Sequence, residues 1–160
     1  MAAWMSLLEA HAAVTDALEE RLEAELGLAL SWHEVLVRLQ EAPDGRLRMQ
    51  DLGRSVLLTK SGVSRLVDRM QHAGLVSRAA CAADRRVTYA GITPKGRRLL
   101  ARAVPVFVRS FEESFARHLS QREAAALRSA LAGVIAAHGR GESSCPSAYV
   151  QGAREAAAAR

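Results

Sequence analysis

Residues 59–78 read TKSGVSRLVDRMQHAGLVSR. Val63, Leu66, Val67 and Met70 recur at i, i+3, i+4 and i+7, the repeat of one apolar helix face. Thr59 suits an N-cap and Gly74 a stop, so the stretch predicts a helix over 60–73. Lys60, Ser61, Ser64, Arg65 and Asp68 fall on the opposite side, with Arg69 on a flank. Just upstream, Gln50 to Val56 reads as a shorter helix carrying Leu52 and Val56. Two short helices joined by a tight turn, the second polar on its outer face, make a helix-turn-helix.

The chain continues with two strand-like segments, Leu75–Arg78 and Val87–Ile92, around a charged tip from Cys81 to Arg86. A hairpin placed directly after the second helix turns the unit into a winged helix. A helix fits the DNA major groove, where arginine and lysine donate to base edges. Guanidinium groups on a hairpin tip can reach the adjacent minor groove, where negative potential is enhanced.

Working outward, Trp4, Leu7, His11, Val14, Leu18, Leu22 and Leu26 form one stripe of a long first helix, which Gly27 ends. Ser31 with Glu34 has the form of a capping box, opening a helix over 32–42 with Trp32, Val35, Leu36 and Leu39 on one face. Pro43-Asp44-Gly45 is a turn signal, and Leu47 and Met49 fit a very short strand. Thr93 caps a further helix that begins with Pro94 and carries Leu99, Leu100, Ala103, Val104, Phe107, Phe111, Phe115 and Leu119; Pro105 inside it predicts a kink. Ser120 and Glu123 form another capping box, opening a last helix to about 138. From Gly139 the pattern dissolves into Gly, Ser, Pro and Ala, read as a disordered tail with at most a short helix at 152–159. The fold class expected is mainly α with a small β-wing. The divisions are a long N-terminal helix (1–29), a winged helix-turn-helix (30–93), C-terminal helices (94–138) and the tail (139–160).

Charge is distributed unevenly. The chain nets +5, but residues 1–29 hold one base against six acids, and residues 44–102 hold 13 bases against four acids. A basic middle beside an acidic end is the footprint of a nucleic-acid binder. The longest stretch free of Asp, Glu, Lys and Arg is 11 residues, too short for a membrane-spanning helix, which takes roughly 18 or more apolar residues. The first charge is the acidic Glu9, so no basic n-region of a secretory leader is expected. Cys81 and Cys145 lie too far apart for a zinc-finger spacing, and a reducing cytoplasm is the expected compartment. The histidines at 11, 33, 72, 118 and 138 form no metal-ligand pair, so neither metal nor cofactor is expected. Gly-x-Ser-x-Gly, Walker and Gly-x-Gly-x-x-Gly motifs are absent from the sequence, which speaks against an enzyme.

Five stretches, in order, carry a family resemblance: Leu30-Ser31 with Val35–Leu39, Ser61–Met70, Gly74–Arg78, Asp84–Arg86, and Ile92–Gly96. Over about residues 4–138 the chain resembles MarR-family transcriptional regulators, with Asp84 and Arg86 matching that family's Asp-x-Arg wing signature. The resemblance implies a homodimer, with 1–29 as the N-terminal dimerisation helix and 94–138 as the C-terminal dimerisation helices, on a pseudo-palindromic stretch of double-stranded DNA, acting as a repressor. Ser61, Ser64 and Arg65 would read bases or phosphates, Lys60 and Arg69 would meet phosphate, and Arg86 would be the wing arginine with Arg85 beside it. Asp84 would shape the wing and restrain an arginine. Asp68 would pair a wing arginine or Arg65, or would be a plain surface charge. The resemblance also implies release by a small anionic or phenolic effector. Candidate lining residues are Trp4, His11, Trp32, His33 and Arg38, although both tryptophans and His11 also fit their helices' apolar stripes. The competing reading is a winged-helix module for protein–protein docking, since fold does not fix function. The outer face of helix 60–73 lacks the apolar anchors such docking needs.

Overall fold

The first helix, α1 (Ala2–Leu26), stops where Gly27 turns left-handed (φ 60°) and its N–H bonds back to the Glu23 and Leu22 carbonyls. Glycine takes this conformation without the penalty a Cβ would bring. In this computed structural model, residues 1–55, 60–81, 84, 86–138, 146, 147 and 149–152 are described, with only the backbone of Ser55, Lys60 and Ser61. Thr59, Val56, Arg85 and Cys145 therefore lie outside the described residues.

After Gly27 comes α2 (Leu30–Glu41), then a 3-10 turn at Pro43–Gly45, β1 (Arg46–Arg48), α3 (Met49–Ser55) and α4 (Lys60–His72). The hairpin β2 (Val76–Ala80) and β3 (Thr88–Ile92) follows, then α5 (Pro94–Ser114) and α6 (Gln121–Ala137). The sheet order is β1-β3-β2, antiparallel throughout, with Val76 opposite Ile92, Ala80 opposite Thr88 and Arg48 opposite Tyr89. This is the mainly helical winged helix with a small sheet that the sequence predicts.

One buried cluster unites the winged lobe: Val35, Leu36 and Leu39 of α2, Leu52 of α3, Val63, Leu66, Val67 and Met70 of α4, and Val76, Ala90, Ile92 and Leu100. A smaller one, Leu22, Leu28, Ala103 and Val106, joins α1 to α5. Trp32 and Leu99 pack against both. Arg21 with Glu113 (3.1 Å) and Arg109 with Glu25 (2.7 Å) bridge α1 and α5 at the surface.

Three local expectations come out differently. The Ser31–Glu34 capping box does not form: α2 starts at Leu30, Ala29 is its N-cap without a side-chain cap, and Glu19 of α1 accepts the Leu30 N–H at 2.6 Å. A carboxylate from a neighbouring helix supplies what a local hydroxyl was expected to supply, and it is favourably placed at a positive helix end. Val35, Leu36, Val37 and Leu39 are all buried, so α2 has no single apolar face but is enclosed on several sides. Part of the tail read from Gly139 onward also differs: its described residues, Pro146, Ser147 and Tyr149 to Gly152, lie against α2 and α5. Tyr149 packs against the main core, and Ser147 donates to Glu41 at 2.7 Å. By contrast, Thr93 caps α5, and Ser120 and Glu123 form their capping box; α5 continues through Pro105, where a kink was expected, and stops at Ser114, short of the predicted Phe115 and Leu119.

Candidate nucleic-acid interface

The outer face of α4 is set by its inner one. With Val63, Leu66, Val67 and Met70 buried, Ser64, Arg65, Asp68 and Arg69 must point away from the core. Arg65 and Arg69 are exposed, and Ser64 and Asp68 are half-buried. Lys60 and Ser61 begin the same helix, but their side chains lie outside the described residues.

The half-burial of Asp68 has a specific cause. Its carboxylate meets Arg78 of β2 at 3.0 Å, and the same guanidinium donates to the Ser64 carbonyl oxygen at 2.9 Å. One arginine thus ties the first turns of α4 to the base of the wing. Among the described residues, Asp68 is paired neither to Arg65 nor to Arg86. Its negative charge, unfavourable beside phosphate, is neutralised within the protein. Strand alternation explains the reach: Val76 is buried against the core, and Arg78, two residues on, projects to the same side.

At the wing, the Asp84 carboxylate accepts the Arg86 backbone N–H at 2.9 Å, and the Val87 N–H reaches the Asp84 carbonyl oxygen at 3.0 Å. Asp84 therefore shapes the turn through the backbone. Arg86 is left exposed at the tip. On the other sheet edge, Arg48 donates to the Tyr89 hydroxyl at 3.2 Å, and Arg46 and Arg48 lie 5.8 and 6.0 Å from the Tyr89 ring centre. A notch of about 380 Å³ between α4, the β1–α3 junction and the wing is lined by Arg48, Gln50, Ser64, Arg78, Arg86 and Thr88. The result is one continuous basic face made from a helix and both sheet edges.

That face is anchored to α5. Gly74 ends α4 in the left-handed region (φ 72°), with the Leu75 N–H on the Met70 carbonyl oxygen. The Thr93 hydroxyl lies 2.7 Å from the Gly74 carbonyl oxygen while accepting the Gly96 N–H, and Lys95 donates to the Ala73 carbonyl oxygen at 2.8 Å. Gly96 is what lets α5 approach: a Cβ there would run into the Leu75 carbonyl oxygen.

The five effector-lining candidates lie on α1 (Trp4 and His11) and α2 (Trp32, His33 and Arg38). Trp4 lies near the start of α1 and is 56% exposed. His11 and Arg38 act on Glu34, whose carboxyl is raised above its ordinary value by desolvation, with Arg38 and His11 pulling the other way. Trp32 is half-buried between the two core clusters. His33 alone is fully buried, stacked on Phe107 with ring centres 4.8 Å apart. Burial pulls its pKa from 6.5 to about 4, so the ring is neutral. Cys81, a free thiol at the end of β2, is half-buried.

A MarR family profile matches residues 26–87. The HTH-type transcriptional regulator MhqR of Bacillus subtilis (strain 168) is 31% identical over 107 residues, covering 67% of this chain and 72% of that protein. AbsC, a MarR family transcriptional regulator from Streptomyces coelicolor, is 34% identical, with a TM-score of 0.80 over 88% of this chain and 94% of its own. The chain belongs to the MarR family. Sco3205, a MarR family regulator from the same organism solved in complex with DNA, is 28% identical, with a TM-score of 0.81 over 90% of each chain.

As a MarR family protein it is a winged-helix, DNA-binding transcriptional regulator and not an enzyme. Within this MarR protein, the sequence reading missed Arg78, Arg48 and Tyr89. For Arg78 a signal existed in the alternation counted from Val76. For Arg48 and Tyr89 the signal was weak, because a three-residue strand leaves almost no periodicity to read.

Proposed function

We propose that this protein is a homodimeric repressor that binds a pseudo-palindromic operator and leaves it when a small molecule binds. The observation that carries the DNA reading is the basic face on which Arg65 and Arg69 of α4 and Arg86 of the wing are all exposed beside the Arg48–Arg78 notch. Helix α4 would enter the major groove and the wing the adjacent minor groove. Ser64 and Arg65, with Lys60 and Ser61 ahead of them, would contact bases or phosphates, and Arg69, Arg85 and Arg86 would supply further cationic contacts. Polar and cationic side chains at these positions favour nucleic acid over a docking partner, which would need apolar anchors.

The dimer reading is supported by surface that one chain leaves uncovered. Trp4, Met5 and Leu8 near the start of α1, and Val134 and Ile135 of α6, are exposed, and no residue of α6 is buried. Apolar side chains grouped this way are what a second copy would cover. Effector release is supported by the contact of both lobes with α5, because Thr93 and Lys95 at the start of α5 bond the end of α4 and would carry a change in the α2–α5 seam to that helix.

The test is selection of bound fragments from genomic DNA at about 150 mM salt, where non-specific phosphate binding is suppressed. The expected result is an enriched palindrome with half-sites roughly 10 base pairs apart, bound by a species of twice the 17.3 kDa chain mass in light scattering. A monomer, or no enriched sequence, refutes the proposal.

A further inference from the structure

Three arginines line the notch between α4, the β1–α3 junction and the wing, and they differ in what holds them. Arg78 is engaged by Asp68 and by the Ser64 carbonyl oxygen. Arg86 is exposed at the wing tip, where Asp84 binds its backbone N–H. Arg48 is exposed as well, but its guanidinium is anchored at one end, Nε donating to the Tyr89 hydroxyl at 3.2 Å. The neighbouring acids are engaged elsewhere, Asp44 with Arg46 at 3.5 Å and Asp51 with Arg54 at 3.8 Å. Among the described residues no carboxylate forms an ion pair with Arg48, and its two terminal nitrogens have no acceptor.

The sheet fixes that geometry. Arg48 is registered opposite Tyr89 across the β1–β3 ladder, where facing Cβ atoms lie about 5 Å apart. Arg46, two residues earlier on the same face of β1, flanks the same ring. A phenol hydroxyl that accepts a hydrogen bond keeps its own proton to donate, and a guanidinium has donors only. Arg48 and Tyr89 therefore present a group of donors with a net positive charge, and the anchored Nε leaves the guanidinium less freedom to lose on binding. The chemistry that satisfies such a unit is an oxyanion.

When α4 lies in a major groove and the wing in the adjacent minor groove, one sugar–phosphate strand divides the two grooves and must pass between the elements that occupy them. Between those elements here is the notch, about 380 Å³, walled by Ser64 of α4 on one side and Thr88 of the wing on the other. We propose that the notch seats one phosphodiester of that dividing strand, that Arg48 binds it, and that Tyr89 is the positioning residue that aims Arg48. This rests on the groove assignment above and adds to it a contact from β1, outside both α4 and the wing tip. A phosphate contact carries no base readout of its own but fixes where the protein sits on the duplex. Arg48 thus sets affinity and register while α4 reads the bases.

The experiment measures binding of the full-length protein to the duplex enriched in the genomic selection, by fluorescence anisotropy across salt concentrations. Arg48→Gln is expected to bind about tenfold more weakly, the loss of one charge-assisted hydrogen bond, and to lower the slope of log affinity against log salt by about 0.9 in magnitude for each chain. Arg48→Lys restores the charge and is expected to restore the slope; a slope that stays low there marks a folding defect and overturns the proposal. Tyr89→Phe keeps the charge and the ring. It is expected to weaken binding about threefold with the slope unchanged, and to cost nothing further in the Arg48→Gln background. Duplexes with one neutral methylphosphonate at each successive position then remove one phosphate charge at a time. At one position in each half-site, wild type and Arg48→Gln are expected to bind equally. An unchanged slope for Arg48→Gln overturns the proposal, as does a Tyr89→Phe cost that is equal in both backgrounds. A gap between wild type and Arg48→Gln that persists at every methylphosphonate position also overturns it, and marks the notch as a place for a free anion. Wild type that binds no operator refutes the regulator reading together with this one; wild type that binds while Arg48→Gln keeps its slope refutes this one alone.

Discussion

Replacing Arg78 by methionine keeps most of the side chain's length and removes its charge. Two interactions are lost: the ion pair to Asp68 at 3.0 Å and the donation to the Ser64 carbonyl oxygen at 2.9 Å. The Arg78 side chain is 25% exposed and Asp68 50%, so the pair lies between the surface and buried regimes. A surface pair contributes about 0.2–1 kcal/mol, and a hydrogen bond from a charged donor about 1.5–3 kcal/mol. Arg78→Met should therefore cost about 2–3 kcal/mol in stability, and Asp68→Asn about 1 kcal/mol. The double variant should lose less than the sum, with a coupling of about 1 kcal/mol, because the second change removes a charge already stripped of its partner. Urea denaturation of the four proteins measures this directly. The same cycle on operator binding should show Arg78→Met weakened about threefold or more: for an assumed separation of about 7 Å from a phosphate, an unneutralised carboxylate costs about 0.6 kcal/mol even at the dielectric constant of water, and more near the protein surface. Asp68→Asn in the Arg78→Met background should restore part of that affinity. Additivity within about 0.3 kcal/mol in stability would refute the pairing on which the argument stands.

Arg86→Ala should leave stability within about 0.5 kcal/mol while lowering the slope of log affinity against log salt by about 1 in magnitude; fluorescence anisotropy across salt concentrations checks it, and an unchanged slope denies the wing a phosphate contact. Gly96→Ala should cost about 1–3 kcal/mol, because the new methyl meets the Leu75 carbonyl oxygen and comes within 3.1 Å of Leu36 Cδ2; a loss under about 0.5 kcal/mol would show that α5 can retreat freely. His33 should stay neutral well below its ordinary range. The unfolded chain takes up a proton near pH 6.5 and the folded one only near 4, so stability present above 6.5 drains away as pH falls through that window, by at most about 3 kcal/mol. An NMR titration of the His33 ring with a midpoint near 6.5 would contradict this.

What could be read from the sequence was whatever depends on residues close together in it. The buried face of α4 follows from four positions within eight residues. Gly27 and Gly74 end their helices, Thr93 and Ser120 begin theirs, and each acts within one turn. The family resemblance rests on the same kind of local run, and it located α4 and the wing. Contacts between residues distant in the chain were not legible. Ser31 and Glu34 have the right spacing for a cap, yet Glu19 from another helix reaches the Leu30 N–H, and a sequence pattern cannot register a competitor that arrives through packing. Asp68 needed a partner, but several arginines were available, and only the hairpin's twist and register brought Arg78 to it. The tail looked unable to order itself because its composition offers little apolar surface of its own. Tyr149 docks on surface that α2 and α5 already provide, 116 residues from His33 in the chain, and no local pattern carries information over that separation. Helix and strand assignments follow from short-range sterics and periodicity, whereas the pairing of charges and rings follows from which surfaces the folded core leaves adjacent.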